Sequence, residues 1–226
     1  MTNIGSENLE LMSNAKNYLN HVGKIVARQL PSKGKIIDFG AGDGRQTSLV
    51  GVSRDSLLCV ESNERMQAKL QELNYHTVSG LKDYSLEEFE AAYSINCLEH
   101  IEDDWFVVNQ IRTLLKQGSK FVIFVPALPI LFSSMDRRVG HIRRYSKRSL
   151  RKVLENSGYS IEKMRFVDSL GVLFTLLFKV IGDESGEPSV WSIKIYDRVF
   201  FPISRLLDML FGHIIGKNLI AVAVKN

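Results

Sequence analysis

Cysteine is scarce in this chain of 226 residues. Cys59 and Cys97 are the only two, too few for a disulfide framework. Both fall in apolar runs that read as strands, so the expectation is two buried thiols in a reducing, cytoplasmic protein. Long apolar runs are lacking too. The longest, residues 170–182, is broken by Lys179 and falls short of the roughly twenty residues a spanning helix takes. Glu7, Glu10, Lys16 and Lys24 interrupt the opening stretch, which is not the pattern of a secretory signal. The chain shows no internal repeat and no low-complexity tract. Its only linker-like stretch is GDESGEPS at 182–189. The five histidines and two cysteines show no metal-ligand spacing, so no metal is expected from sequence.

What remains is an ordinary globular composition, 45% apolar and 24% charged, of a length that suits one domain over 1–226. The formal net charge of +4 is a local effect. Residues 137–152 hold eight Lys or Arg and no acid; the other residues carry 21 cations against 25 Asp and Glu. A patch of that kind bears on partners rather than on fold.

Periodicity supplies the elements. Leu9, Met12, Leu19, Val22, Ile25, Val26 and Leu30 recur at helical spacing until Pro31, which predicts an N-terminal helical segment within 1–32. Strands are expected at 35–39, 56–61, 75–78, 91–96, 120–125, 159–167 and 219–224. Helices are expected at 64–73, 103–115 and 146–157. Such alternation gives an α/β fold, a doubly wound parallel sheet with helices on both faces and a ligand crevice at the carboxyl ends of the strands. Residues 168–216 interrupt it with apolar helical sequence. There Tyr196, Val199, Phe200, Ile203, Leu206, Leu207, Leu210, Phe211 and Ile214 share helical spacing. Lys194, Asp197, Arg198, Arg205 and Asp208 lie on the other side, and Pro202 should kink or divide the helix. Two readings of this insert stand open. One is core packing plus a lid; the other is an interfacial amphipathic surface, to which Phe174, Leu177, Phe178 and Phe201 would add.

The turn Asp38-Phe39-Gly40-Ala41-Gly42-Asp43-Gly44 follows the first strand and opens a helix. Glycines there permit a tight turn and close approach of a ligand, and the helix start offers free N–H groups. Glu61 ends the second strand, at the distance where an acid accepts hydrogen bonds from ribose hydroxyls. The dinucleotide fingerprint would need glycine at position 45, where this chain has Arg45. The form D-x-G-x-G-x-G instead resembles the first motif of the class I S-adenosylmethionine-dependent methyltransferases. Segment 94–104, with its Leu98-Glu99-His100-Ile101 run, and segment 140–146, Gly-His-Ile-Arg-Arg-Tyr-Ser, resemble one large group of that family, the type 11/12-like methyltransferases. The resemblance covers about residues 33–168.

The resemblance implies a Rossmann-like, seven-stranded sheet, mostly parallel with an antiparallel last strand. It implies S-adenosyl-L-methionine as cofactor. Gly40, Ala41 and Gly42 would lie against its methionine part, Asp38 would help hold its amino group, and Glu61 with Ser62 would meet the ribose. Asn96, Cys97 and Leu98 would pass beside the methionyl moiety. Many relatives place an acid where this chain has Gly80, which leaves the adenine to the Gly80–Leu81 backbone or to Asp83 from a shifted loop.

An acceptor hydroxyl benefits from a base, and positioning supplies much of the remainder. Candidates near the strand ends are His141, His100, Asp136 and Tyr145. Glu99 reads as an acidic cap for the next helix, and Asp136 as a partner of Arg137, Arg143 or Arg144. The expected acceptor is a hydroxyl or carboxyl of a small or lipid- or glycan-linked metabolite. Arg143, Arg144, Lys147 and Arg148, with the apolar insert, form a candidate contact with an anionic membrane surface, peripheral on its inner face. The rivals are an RNA methyltransferase, a nicotinamide oxidoreductase disfavoured by Arg45, and a non-catalytic cofactor-binding or membrane-adaptor protein. Nucleic acid finds little support, because Tyr145 alone supplies an aromatic within the basic run.

Overall fold

The structure is a computed structural model that describes residues 10–82, 84, 88–181 and 189–226. Expectations for Glu7, Leu9, Asp83, the 182–188 stretch and the Phe178 side chain lie outside what is described. Seven strands form one sheet: β1 Ile36–Phe39, β2 Leu57–Val60, β3 His76–Val78, β4 Phe89–Ile95, β5 Leu115–Pro126, β6 Tyr159–Val167 and β7 Asn218–Lys225. Their order is β3-β2-β1-β4-β5-β7-β6. β1 to β5 pair in parallel, and β7 runs antiparallel to both β5 and β6. Strand order reverses between β1 and β4, which is where a doubly wound sheet opens its crevice.

Helices α1 Lys16–Ala27, α2 Arg45–Val50, α3 Glu64–Glu72, α4 Asp104–Leu114, α5 Ser134–Arg138 and α6 Lys147–Asn156 accompany the strands. Alternate strand residues face opposite layers. Ile37, Leu58, Ala92, Phe121 and Ile123 pack on Val108 and Ile111 of α4 and Leu150 and Leu154 of α6. Ile36, Cys59, Tyr93, Val122 and Phe124 pack on Val22 and Val26 of α1 and on Leu70 of α3. Each fully buried aliphatic or aromatic side chain contributes about 1.5–3 kcal/mol. Capping fixes the helix starts: Asn63 accepts from Met66, Asp103 from Phe106 and Ser146 from Ser149.

The insert is divided at Pro202, as its sequence implied, and only its acids lie elsewhere than spacing suggested. It forms α7 Ser169–Ile181, α8 Val190–Ile195, a π-helical turn Tyr196–Phe200 and α9 Phe201–Phe211. Pro202 sits in the first turn of α9, where its missing N–H is tolerated, and the π turn before it takes up the irregularity. Of the polar side of the insert, the acids Asp197 and Asp208 and the hydroxyl of Ser204 face inward, while Lys194, Arg198 and Arg205 stay exposed. Asp197 accepts the backbone N–H groups of Asn17 and Tyr18 and so caps α1 from 180 residues away. Asp208 accepts those of Asp168 and Ser169 at the start of α7, and Ser204 accepts that of Leu170. With these acids buried, Leu206 (66% exposed), Met209 (77%) and Leu210 (64%) point to solvent, as do Ile203, Phe211 and Ile214. Among the described residues no helix is long and apolar enough to cross a membrane.

Candidate active site

Four strands leave the sheet at their carboxyl ends through left-handed backbone: Gly40 after β1, Asn96 after β4, Leu128 after β5 and Asp168 after β6. The three non-glycine cases each cost on the order of 1–3 kcal/mol and all stand at the same, carboxyl end of the sheet. Only glycine suits position 40, since a Cβ there would lie 2.3 Å from the Cys97 sulfur. At Gly42 (φ +58°) a Cβ would meet nothing within 4 Å, so the turn opens onto free space. The Gly40 and Ala41 N–H groups both donate to the Val60 carbonyl, which draws the glycine turn toward the end of β2. There Glu61 is buried, accepting from Gly42 N–H and Asn63 N–H at 2.9 Å each. Its carboxylate has acceptor capacity left for a ligand. Ser62 is exposed beside it. Beneath the turn, Asp38 accepts from the Thr47 hydroxyl (2.6 Å) and the Tyr93 hydroxyl (2.8 Å); burial pushes its pKa up to about 6. Asn96 is exposed in the crevice, Cys97 half-buried in the turn rather than in the strand, and Leu98 buried. Gly80 has open space around it, and the Leu81 side chain belongs to the core.

A second group lies directly after this one. Residues 98–100 form a 3-10 turn behind β4, and segment 140–145 is zipped along it. Ile142 N–H donates to the Glu99 carbonyl, the Tyr145 hydroxyl to the Leu98 carbonyl, and His100 Nδ1 to the Gly140 carbonyl at 3.0 Å. This brings the His100 and His141 rings edge to face, with centroids 4.8 Å apart. His141 Nδ1 is 2.9 Å from Asp136 Oδ1, and its Nε2 is 3.6 Å from Glu99 Oε1. Burial raises the Asp136 pKa, but the hydrogen bond from His141 and the charge of Arg144 outweigh it and hold the carboxyl at about 2. Burial, and then the neighbouring His141, lower His100 to about 4. Glu99 is not a helix cap. It is fully buried, and burial pushes its pKa up to about 8. One donor atom from each of Glu99, His100 and His141 lies within 4.8 Å of the other two. His100 and His141 were legible as candidates but not as a trio with Glu99, because His141 lies 41 residues beyond His100 and reaches it only when segment 140–145 is hydrogen-bonded along the 98–100 turn.

Part of the basic segment is committed inward, while Arg137, Arg148, Arg151 and Lys152 are exposed. Arg144 pairs with Asp136 (2.9 Å), Arg143 pairs with Asp104 (3.0 Å), and Lys147 donates to the His213 carbonyl. Lys194, Arg198 and Arg205 of the insert are exposed as well. One further side chain, Tyr18, reaches Asn96 in the crevice without having been assigned from sequence. The Tyr18 hydroxyl lies beside Asn96 and Asn218; burial, then Asp168 and Glu99, raise its pKa. The Lys217 ammonium is lowered by burial, opposed by Asp168, and also feels Arg144 and Asp136. Tyr18 gave only a helical apolar spacing.

A family model described as a methyltransferase domain matches residues 13–164. The chain belongs to that family. No curated protein matches the sequence. Solved structures share the fold of this methyltransferase at low identity. An S-adenosylmethionine-dependent methyltransferase from Thermotoga maritima is 15% identical, with a TM-score of 0.65 over 98% of this chain and 95% of that one. A protein solved in complex with the Haloferax volcanii Trm112 methyltransferase activator is 12% identical, with a TM-score of 0.65 over 97% and 95%. Geranyl diphosphate methyltransferase in complex with S-adenosylmethionine is 11% identical, with a TM-score of 0.61 over 92% and 85%. The enzyme uses S-adenosylmethionine. Its open glycine turn at Gly42, with Glu61 aimed at that turn and Asn96 across the crevice, fits such a group.

Proposed function

We propose that this methyltransferase acts on a hydroxyl or carboxyl of a small or lipid- or glycan-linked metabolite. The cofactor supplies an activated methyl group. The chain holds it with Asp38, Gly40, Ala41, Gly42, Glu61, Ser62 and the 96–98 turn, with the Gly80–Leu81 backbone on the adenine side. The observation that carries the acceptor reading is the Glu99–His100–His141 group beside that turn. Asp136 is ionised and accepts from His141 Nδ1, so the imidazole keeps its Nε2 lone pair for the acceptor side. Such acceptor atoms suit an oxygen nucleophile that must give up its proton. Transfer of labelled methyl from S-adenosylmethionine into lipid and glycan extracts tests this. Label recovered as an ether or ester supports it; label found only on amines or RNA removes it.

A membrane-surface role has its own support. The solvent-facing row Ile203, Leu206, Met209, Leu210 and Phe211 lies on a helix whose exposed cation is Arg205, with Arg198 and Lys194 on the preceding turns. An apolar face flanked by cations suits an anionic bilayer. Of the contacts expected from sequence, Arg148 stays available, whereas Arg143, Arg144 and Lys147 have partners within the protein. Flotation with anionic vesicles at low salt is the measurement: co-flotation that Leu206→Glu with Leu210→Glu abolishes supports the surface, and protein left at the bottom rules it out.

A further inference from the structure

The Glu99–His100–His141 group consists of acceptors facing one another. The Gly140 carbonyl can only accept, so His100 Nδ1 donates to it, leaving a lone pair on Nε2. Asp136 Oδ1 also accepts from Arg144 Nε, so His141 Nδ1 donates to it and its Nε2 carries a lone pair 3.6 Å from a Glu99 oxygen. Both Glu99 oxygens are buried with no hydrogen-bond partner. Buried carboxylates of this kind ordinarily pair with a cation. One donor atom from each of Glu99, His100 and His141 within 4.8 Å of the other two, with both Glu99 oxygens unpartnered, constitutes a ligand set for a positive ion.

We propose that Glu99, His100 and His141 bind a divalent transition-metal ion, with Zn2+ as the type, whose open positions take the oxygen of the methyl acceptor. The nitrogen and oxygen donors suit Zn2+, Mn2+ or Fe2+ better than the hard alkaline-earth ions. Bonds of about 2.0–2.2 Å allow donors no more than roughly 4 Å apart, so the present spread of 4.8 Å needs only a small contraction. The outer shell is already built. Each histidine donates its other N–H to a carboxylate or carbonyl, which fixes ring orientation and raises ligand basicity. Three protein ligands leave positions free, as in catalytic rather than structural sites. This rests on the oxygen-methylation reading above. The bound hydroxyl loses its proton to solvent, its oxygen forms the new bond to the methyl carbon, and the sulfur–methyl bond breaks with its electron pair staying on sulfur.

The test is titration of the metal-stripped full chain with Zn2+ alone, and with Co2+ followed by its visible absorption. Wild type should bind one ion at micromolar concentration or tighter. His141→Ala, His100→Ala and Glu99→Gln should each weaken binding by at least tenfold, and Asp136→Asn by about ten- to a hundredfold through the orientation of His141. Binding of S-adenosylhomocysteine, which depends on Glu61, reports that each variant is folded. Metal binding that is absent, or equal in all the variants, while S-adenosylhomocysteine still binds overturns the inference and leaves Glu99 as a protonated carboxyl. Metal binding that persists where no oxygen acceptor is ever found overturns the acceptor reading alone.

Discussion

Asp38 carries opposing demands in one side chain. It is buried, and burial lifts its pKa to about 6 from the ordinary 3.8. A folded-state pKa above the unfolded value means that stability is fully present below pH 3.8 and is lost as pH rises through about 6. At neutral pH the cost is roughly 3 kcal/mol. A cofactor ammonium held beside it would recover part of that cost by favouring the carboxylate. Two outcomes are expected. The affinity of wild type for S-adenosylhomocysteine, measured calorimetrically, should rise between about pH 5 and pH 7. Asp38→Asn should flatten that profile and weaken binding, while denaturant unfolding at pH 7 shows equal or greater stability, since an amide oxygen still accepts from Thr47 and Tyr93. A variant that binds as tightly as wild type would remove Asp38 from the cofactor site.

At the scale of elements, legibility followed the range of the interactions. Strand 159–167 and helix 146–157 were readable because alternation and a Ser cap are local signals. The orientation of the insert was not. Spacing grouped Asp197 and Asp208 with Lys194, Arg198 and Arg205 opposite the apolar row; the acids are buried, because distant helix starts need acceptors, while the cations are exposed. Asp197 serves α1, whose own N-cap residue Ala15 has no side-chain acceptor. Replacing Asp197 by Ala should therefore destabilise the protein by about 1–2 kcal/mol in urea unfolding, the usual loss for a cap. It should also weaken cofactor binding, because Tyr18 stands on the first turn of α1. Leu206→Glu should change stability by no more than about 0.5 kcal/mol, as for other exposed positions. If that variant unfolds the chain, Leu206 is a core residue and the outward apolar face is refuted.

Over the whole molecule, the cleft draws on residues from 18 to 141, gathered only because the parallel strands all end on one side and the order reverses between β1 and β4. The glycine turn and Glu61 were legible as one motif, since both lie within a single βαβ unit. Glu99 was legible as a residue but not as a buried one, because its burial depends on segment 140–145 closing over it. A molecule assembled this way should respond globally to a ligand that bridges β1, β2 and β4. S-adenosylhomocysteine at a hundredfold excess over Kd stabilises the folded state by about 2.7 kcal/mol. For a chain of this size that corresponds to a rise in Tm of roughly 5–10 °C. Glu61→Ala should show little of that rise, while Glu99→Gln, outside the cofactor crevice, should keep most of it. NAD should produce none in any form, because Arg45 stands where the dinucleotide turn needs its third glycine. A shift with NAD but not with S-adenosylhomocysteine would mean that the crevice between β1 and β4 holds a different nucleotide.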